Sequence, residues 1–207
     1  MKTEHDEVSS DLLTAMRMGD SEALGNVFST YRERLRKIVR FRMDHRLGGR
    51  LSESDVLQEA YIAAAQRLEH FAQYDDMSPF LWLRLVLGQK LTDLHREHLL
   101  VAKRNADREI RMPSNPVSGE TSFAIAAHLV GQMTAASELV SRAEQIERLE
   151  GKLNEMDPID REVIALRHFE ELSNGETAKI LGIETSAASK RYLRAMSRLA
   201  ELMKSNS

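Results

Sequence analysis

A chain of 207 residues holds either one domain of ordinary size or two small ones. Apolar residues at 42% supply core material, whereas charged residues at 29% and the lack of any run near the ~18 apolar residues of a span exclude a membrane-crossing segment. The absence of cysteine excludes disulfides, thiol catalysis and thiolate metal sites. Met1 to Ser10 is acidic where a signal peptide is basic and then greasy, so this stretch reads as a disordered start and the place of action as cytoplasmic. A net charge of -3 does not suit a protein that coats nucleic acid through overall basic excess. Distribution matters more: Arg32, Arg34, Arg36, Lys37, Arg40, Arg42, Arg46 and Arg50 crowd an early segment, and Lys190, Arg191, Arg194, Arg198 and Lys204 crowd the C-terminus.

Period-two alternation never persists and helical spacing recurs, so the expected fold is all-α. Asp20 caps a helix whose apolar positions Leu24, Val27, Phe28, Tyr31, Leu35, Ile38 and Val39 continue to about Arg46, where Gly48 and Gly49 end it. Ser52 with Asp55 opens the next helix in the manner of a capping box, and Val56, Leu57, Ala60, Tyr61, Ala64 and Leu68 line its inner side as far as about His70. After a polar stretch, Pro79 suits the first turn of a helix to about Arg104 that is apolar round most of its first half. From Met112 to Gly131 the periodicity lapses among Pro, Gly, Ser and Asn, with at most a transient turn over 123–130. The expected architecture is therefore two small helical domains, 11–108 and 136–207, on either side of a flexible linker over 109–135. In the second domain a helix runs from about Ser137 to Met156, and Asp157 with Pro158 opens another that carries Val163, Ile164, Leu166 and Phe169. Ser173 and Glu176 form an S-x-x-E capping box, Gly182 ends that short helix, and a last helix runs from about Thr185 to Met203.

A short helix, a tight turn at Gly182 and a longer basic amphipathic helix make a helix-turn-helix. On the last helix Ala188, Tyr192, Ala195, Leu199 and Leu202 share one side, while Ser186, Ala187, Lys190, Arg194 and Ser197 lie on the outer side, flanked by Arg191 and Arg198. Small residues at its start permit close approach to a major groove, and Lys and Arg reach phosphates or the acceptor edge of guanine. The alternative is a solvated basic helix in an ordinary bundle. Asp55, Gln58, Glu59, Ile62 and Gln66 form a second stripe, where an isoleucine among acids and amides suits either a partner surface or a solvated face with one stray apolar residue. Trp82 invites stacking on an unpaired base, yet its neighbours Phe80, Leu81, Leu83, Leu85 and Val86 favour a core position. The loop from His70 to Ser78, with Gln73, Tyr74, Asp75 and Asp76, either grips a flipped base or joins two helices. Dispersed histidines assign no metal site, and no glycine-rich phosphate loop or nucleophile elbow is present, so neither a cofactor nor an enzymatic activity is expected.

Asp11-Leu12-Leu13, Gly19-Asp20-Ser21-Glu22-Ala23-Leu24 and Asp55-Val56-Leu57-Gln58-Glu59-Ala60-Tyr61 together resemble region two of extracytoplasmic-function sigma factors. Leu153 to Met156, Arg161-Glu162-Val163-Ile164-Ala165-Leu166-Arg167, Ser173 to Ala178, Ile180-Leu181-Gly182-Ile183 and Lys190-Arg191-Tyr192-Leu193-Arg194-Ala195 resemble region four. The resemblance implies a non-catalytic subunit that binds RNA polymerase core and directs promoter-specific initiation. It places Asp55, Gln58, Glu59 and Ile62 against the coiled coil of the largest polymerase subunit, with a further contact to the polymerase flap. It assigns the minus-ten element to Gln73, Tyr74, Asp75, Gln89, Lys90, Asp93 and Arg96, and the minus-thirty-five element to Ser186, Ala187, Ser189, Lys190, Arg191 and Arg194. An anti-sigma protein is a further implied partner. Gly88 and Gln89 stand where the family usually carries arginine and asparagine, Asn174 and Gly175 replace an aromatic and acidic pair, Glu184 stands for a capping serine, and the linker is longer than usual. Two other readings compete: a stand-alone helix-turn-helix regulator that binds an operator without polymerase, and a helical interaction protein that has lost promoter use.

Overall fold

The computed structural model describes residues 8–43, 51–74, 77–104, 116–133 and 139–204. Ten α-helices and one wide π turn, with no strand among the described residues, fall into two compact units, Met1–Arg108 and Glu109–Ser207. The all-α expectation holds.

Unit 1 contains α1 (Ser10–Arg17), α2 (Ser21–Arg42), α3 (Glu53–Gln66), α4 (Leu68–Phe71) and α5 (Pro79–Arg104). The eight residues of α1 begin where Ser9 accepts a hydrogen bond from the Leu12 N–H, so the stretch read as disordered to residue 10 already holds the cap and the first residue of a helix. Asp20 caps α2 by accepting from the N–H groups of Glu22 at 2.8 Å and Ala23 at 3.3 Å. Residues 44–50, including the expected stop at Gly48 and Gly49, lie outside the described residues. α2, α3 and α5 pack on one another, and α1 lies against α2 and α4. Their core carries ring contacts between Phe28 and Tyr61, Tyr31 and Phe80, and Phe71 and Trp82, with centroids 5.1–5.3 Å apart. Trp82 is buried in that core, as its apolar neighbours required.

Unit 2 contains α6 (Pro116–Met133), α7 (Leu139–Asn154), α8 (Pro158–Ile164), the π turn Ala165–Phe169, α9 (Asn174–Leu181) and α10 (Thr185–Lys204). α6 corrects the expected linker: most of that segment is a helix packed on α7 and α8, with Thr121, Ser122, Ala124, Ile125, Ala126 and Val130 buried. Local composition marks a tether, but tertiary partners decide whether such a sequence is helical. α8 lies between α6 and α10, which explains why the four consecutive residues Val163 to Leu166 are all buried. Leu166 and Phe169, expected on a regular helix, instead sit on the π turn, where the Glu170 N–H reaches back to the Ala165 carbonyl at 2.9 Å. The buried Arg161 donates to the carbonyls of Leu153 and Met156 and so closes the end of α7, while its burial pulls the guanidinium below its ordinary pKa.

Candidate functional site

On α3 the core takes Val56, Leu57, Ala60 and Ala64, which turns Asp55, Gln58, Ile62 and Gln66 outward. Ile62 is 42% exposed, unusual for a residue of its type on a helix with a well-filled core face. Two of the carboxylates on this face already have partners. Asp55 accepts from the Ser52 N–H and the Ser52 hydroxyl, each at 2.8 Å, while the Asp55 N–H donates to Ser52 Oγ at 3.2 Å. Donation by the Ser52 backbone, and then by its hydroxyl, holds the Asp55 carboxyl below the usual aspartate range. Glu59 pairs with Lys90 of α5 at 2.8 Å. The fold thus joins a residue assigned to polymerase with one assigned to the minus-ten element. At the end of this face Arg40 of α2 grips Glu53 through two hydrogen bonds of 2.7 and 2.9 Å, which lowers the Glu53 pKa and raises that of Arg40.

Gln73 and Tyr74 follow α4 in tight turns, their N–H groups bonded to the carbonyls of His70 and Phe71, and both side chains are exposed. Asp75 lies outside the described residues. On α5, Gln89 accepts a hydrogen bond from Arg67, and Asp93 and Arg96 are exposed further along the helix.

In unit 2 the helix-turn-helix is built by paired caps. Ser173 and Glu176 exchange hydrogen bonds at the start of α9, and Gly182 ends it in the left-handed conformation, φ +63°. Asn174 donates from Nδ2 to the Thr185 carbonyl at 2.7 Å, so the residue that departs from the family pattern ties the first turn of α9 to the start of α10. α10 buries Ala188, Ala195, Leu199 and Leu202 and exposes Ser186, Ser189, Lys190 and Arg194, with Ala187 half-buried. Arg191 behaves differently from the other assigned cations. Its guanidinium donates to Asp160 at 2.7 Å and lies 3.9 Å from Asp157, so it clasps α10 to the start of α8.

Leu193 is 67% exposed and was not among the candidate residues. It lies three positions after Lys190 and four before Ser197, on the same outer side, so helical spacing alone marks it. Among the described residues no three His, Asp or Glu side chains gather as a metal-ligand set, and no helix is long and apolar enough to cross a membrane.

A family model described as ECF sigma factor matches residues 6–205. The chain belongs to the ECF sigma factor family. It is similar to the RNA polymerase sigma factor NccH of Alcaligenes xylosoxydans xylosoxydans, with 26% identity over 156 residues that cover 73% of each chain. It is also similar to the RNA polymerase sigma factor CnrH of Cupriavidus metallidurans, with 26% identity over 154 residues and 74% of each chain covered. The structure of CnrH in complex with the cytosolic domain of CnrY matches the fold with a TM-score of 0.55 at 23% identity, over 95% of this chain and 97% of that one. As a member of this family the chain is a sigma factor: it binds RNA polymerase core and directs promoter-specific initiation of transcription. Sigma factors are not a class of enzyme, and the operator-binding alternative is not favoured.

Proposed function

We propose that unit 1 docks on polymerase core through the outer face of α3 and works at the minus-ten element, while unit 2 reads the minus-thirty-five element through α10. The observation that carries the DNA half is the two-sidedness of α10: one side is buried, and the other presents Ser186, Ser189, Lys190, Leu193 and Arg194 to solvent together. Arg194 and Lys190 are placed for guanine edges and phosphates, and Leu193 adds an apolar contact of the kind a thymine methyl takes. Arg191 is a positioning residue in this reading, because its ion pair with Asp160 fixes the pitch of α10. On α3, Gln58, Ile62 and Gln66 form the surface for the coiled coil of the largest subunit, with Asp55 at its capped start and Glu59, paired to Lys90, within it. Gln73, Tyr74, Gln89, Lys90, Asp93 and Arg96 serve the minus-ten strand, Asp75 among them as an assignment from sequence. A contact of unit 2 with the polymerase flap completes the docking.

The chain itself performs no catalysis and needs no cofactor; nucleotide addition is the work of polymerase. It acts in the cytoplasm, and an anti-sigma protein restrains it, a reading supported by the complex in which CnrH was solved.

Reconstitution with bacterial core polymerase and promoter fragments tests the assignment. The wild-type chain is expected to yield transcripts from defined starts, and Ile62→Asp to abolish holoenzyme formation while leaving the helical circular dichroism unchanged. Tight binding of duplex DNA by the chain alone, with no holoenzyme, would replace this reading with that of an operator-binding regulator.

A further inference from the structure

The segment expected to tether the two units contains a docked helix. α6 follows α8 and the π turn in constant register: Thr121 Oγ1 donates to Glu162 Oε2 at 3.1 Å, and His128 meets Phe169 edge-on with centroids 4.8 Å apart, each pair separated by 41 residues of chain. Ser122, Ile125 and Ala126 are fully enclosed. Against α7, the guanidinium of Arg142 lies so close over Gly131 that a Cβ there would come within 2.9 Å of it.

By itself this segment is a poor helix. Gly119 and Gly131 weaken it, Val117 and Thr121 are β-branched, and neither an acid in the first turn nor a base in the last complements the helix dipole. A helix of this kind is held by what it packs against, so detachment and melting coincide.

Chain reach gives detachment a purpose. Eleven residues, 105–115, separate the end of α5 from the start of α6. They span at most about 40 Å when fully extended, and about 18 Å as a relaxed chain. The minus-ten and minus-thirty-five elements are about 25 base pairs apart by their names, about 85 Å of duplex. Two bodies of roughly 100 residues take up about 35 Å of that distance when their chain ends face one another. About 50 Å remains, beyond the reach of a taut eleven-residue strand. Release of α6 lengthens the tether to the 34 residues 105–138. Its extended limit is then about 115 Å.

We propose that α6 is a releasable clasp, docked on α7 and α8 in the free protein and drawn out as an extended tether when polymerase spreads the two units over both promoter elements. The proposal rests on the sigma-factor reading of both units. It accounts for the unusual length of the interdomain segment, because free sigma factor keeps the slack folded away and the promoter complex uses it.

The cysteine-free chain makes the test direct. Thr121 is 2% exposed, so a Thr121→Cys variant is expected to react slowly with a maleimide in the free protein and at least about tenfold faster in holoenzyme bound to a promoter carrying both elements. Ser122→Cys, at a fully buried site, provides a second variant should the first fail to fold. The label is read on the sigma chain by mass spectrometry, and transcripts are counted from the same sample. Equal protection in the free and transcribing states overturns the clasp while leaving the sigma reading intact. Failure of the unsubstituted chain to support any transcript overturns the sigma reading and the clasp with it. A cleavable thiol bridge between Thr121→Cys and Glu162→Cys adds a functional check: transcripts are expected to fall on bridging and return on reduction, and undiminished transcription by the bridged form refutes release.

Discussion

Asp55 has two roles at once. As the acceptor of the Ser52 N–H it closes the first turn of α3, and as the first residue of the exposed stripe it is assigned to polymerase. Its folded pKa is depressed, so the capping contribution is complete above the ordinary aspartate range and is lost as pH falls through the lower folded value. Thermal unfolding followed by circular dichroism from neutrality to about pH 3 is therefore expected to show an acid-side loss that shrinks in Asp55→Asn. Identical pH dependence in the two proteins would show that the cap does not depend on ionisation. The double role also means that Asp55→Ala removes a cap together with any partner contact, which makes Ile62→Asp the cleaner probe of docking. Arg191 and Arg194 separate by the same logic. Arg194→Ala is expected to cost about 1–3 kcal/mol on the matched promoter and less on a promoter altered at the base it reads. Arg191→Ala removes the clasp to Asp160, so its loss is expected on every promoter alike and is accompanied by a fall in thermal stability on the order of 1 kcal/mol or less. A loss from Arg194→Ala that is equal on matched and altered promoters would remove its base-reading role.

At the scale of elements, the turn between α9 and α10 depends on one backbone conformation. Gly182 sits at φ +63° with nothing within 4 Å of where a Cβ would stand, so the cost of a side chain there is purely that of the left-handed backbone. Gly182→Ala is expected to destabilise unit 2 by about 1–2 kcal/mol in urea unfolding, and Gly182→Asn by less. A neutral Ala variant would show that the turn relaxes elsewhere. This element was legible from sequence because its information is local: Ser173 with Glu176, Gly182, and Asp157 with Pro158 each mark a boundary within a few residues. Ser52 with Asp55 and Pro79 did the same in unit 1. α6 was not legible, since Pro116, Gly119 and Gly131 carry the local message of a tether while its helicity comes from Ile125 and Ala126 finding cover in α7 and α8. The short α1 was missed for a related reason, its single buried residue Met16 giving no periodicity to read. The π turn has no local signature at all. Among the site residues, exposure followed the helical wheel apart from the half-buried Ala187, while the pairings at long sequence separation, Glu59 with Lys90, Gln89 with Arg67 and Arg191 with Asp160, are ones no spacing rule within one helix reveals.

At the scale of the whole molecule, charge decides what the chain does alone. A net charge of -3 gives no general attraction to DNA, so affinity has to come from the outer side of α10 and from whatever polymerase adds. Each phosphate neutralised by a lysine or arginine releases counterions and steepens the dependence of log affinity on log salt by about 0.9. A face carrying Lys190, Arg194 and Arg198, the last partly occupied by Glu201 at 3.2 Å, has few such contacts to offer. The isolated chain is therefore expected to bind a minus-thirty-five duplex weakly, with a shallow salt slope and little difference between matched and scrambled sequence. Holoenzyme is expected to bind the same site tightly, because both units are then held on one duplex and the second contact becomes intramolecular. Lys190→Ala is expected to reduce the holoenzyme's salt slope by about 1 with little change in sequence preference, the mark of a phosphate contact. A change in sequence preference at constant slope would instead assign Lys190 to a base edge, and base reading would then begin a turn nearer the start of α10 than Arg194.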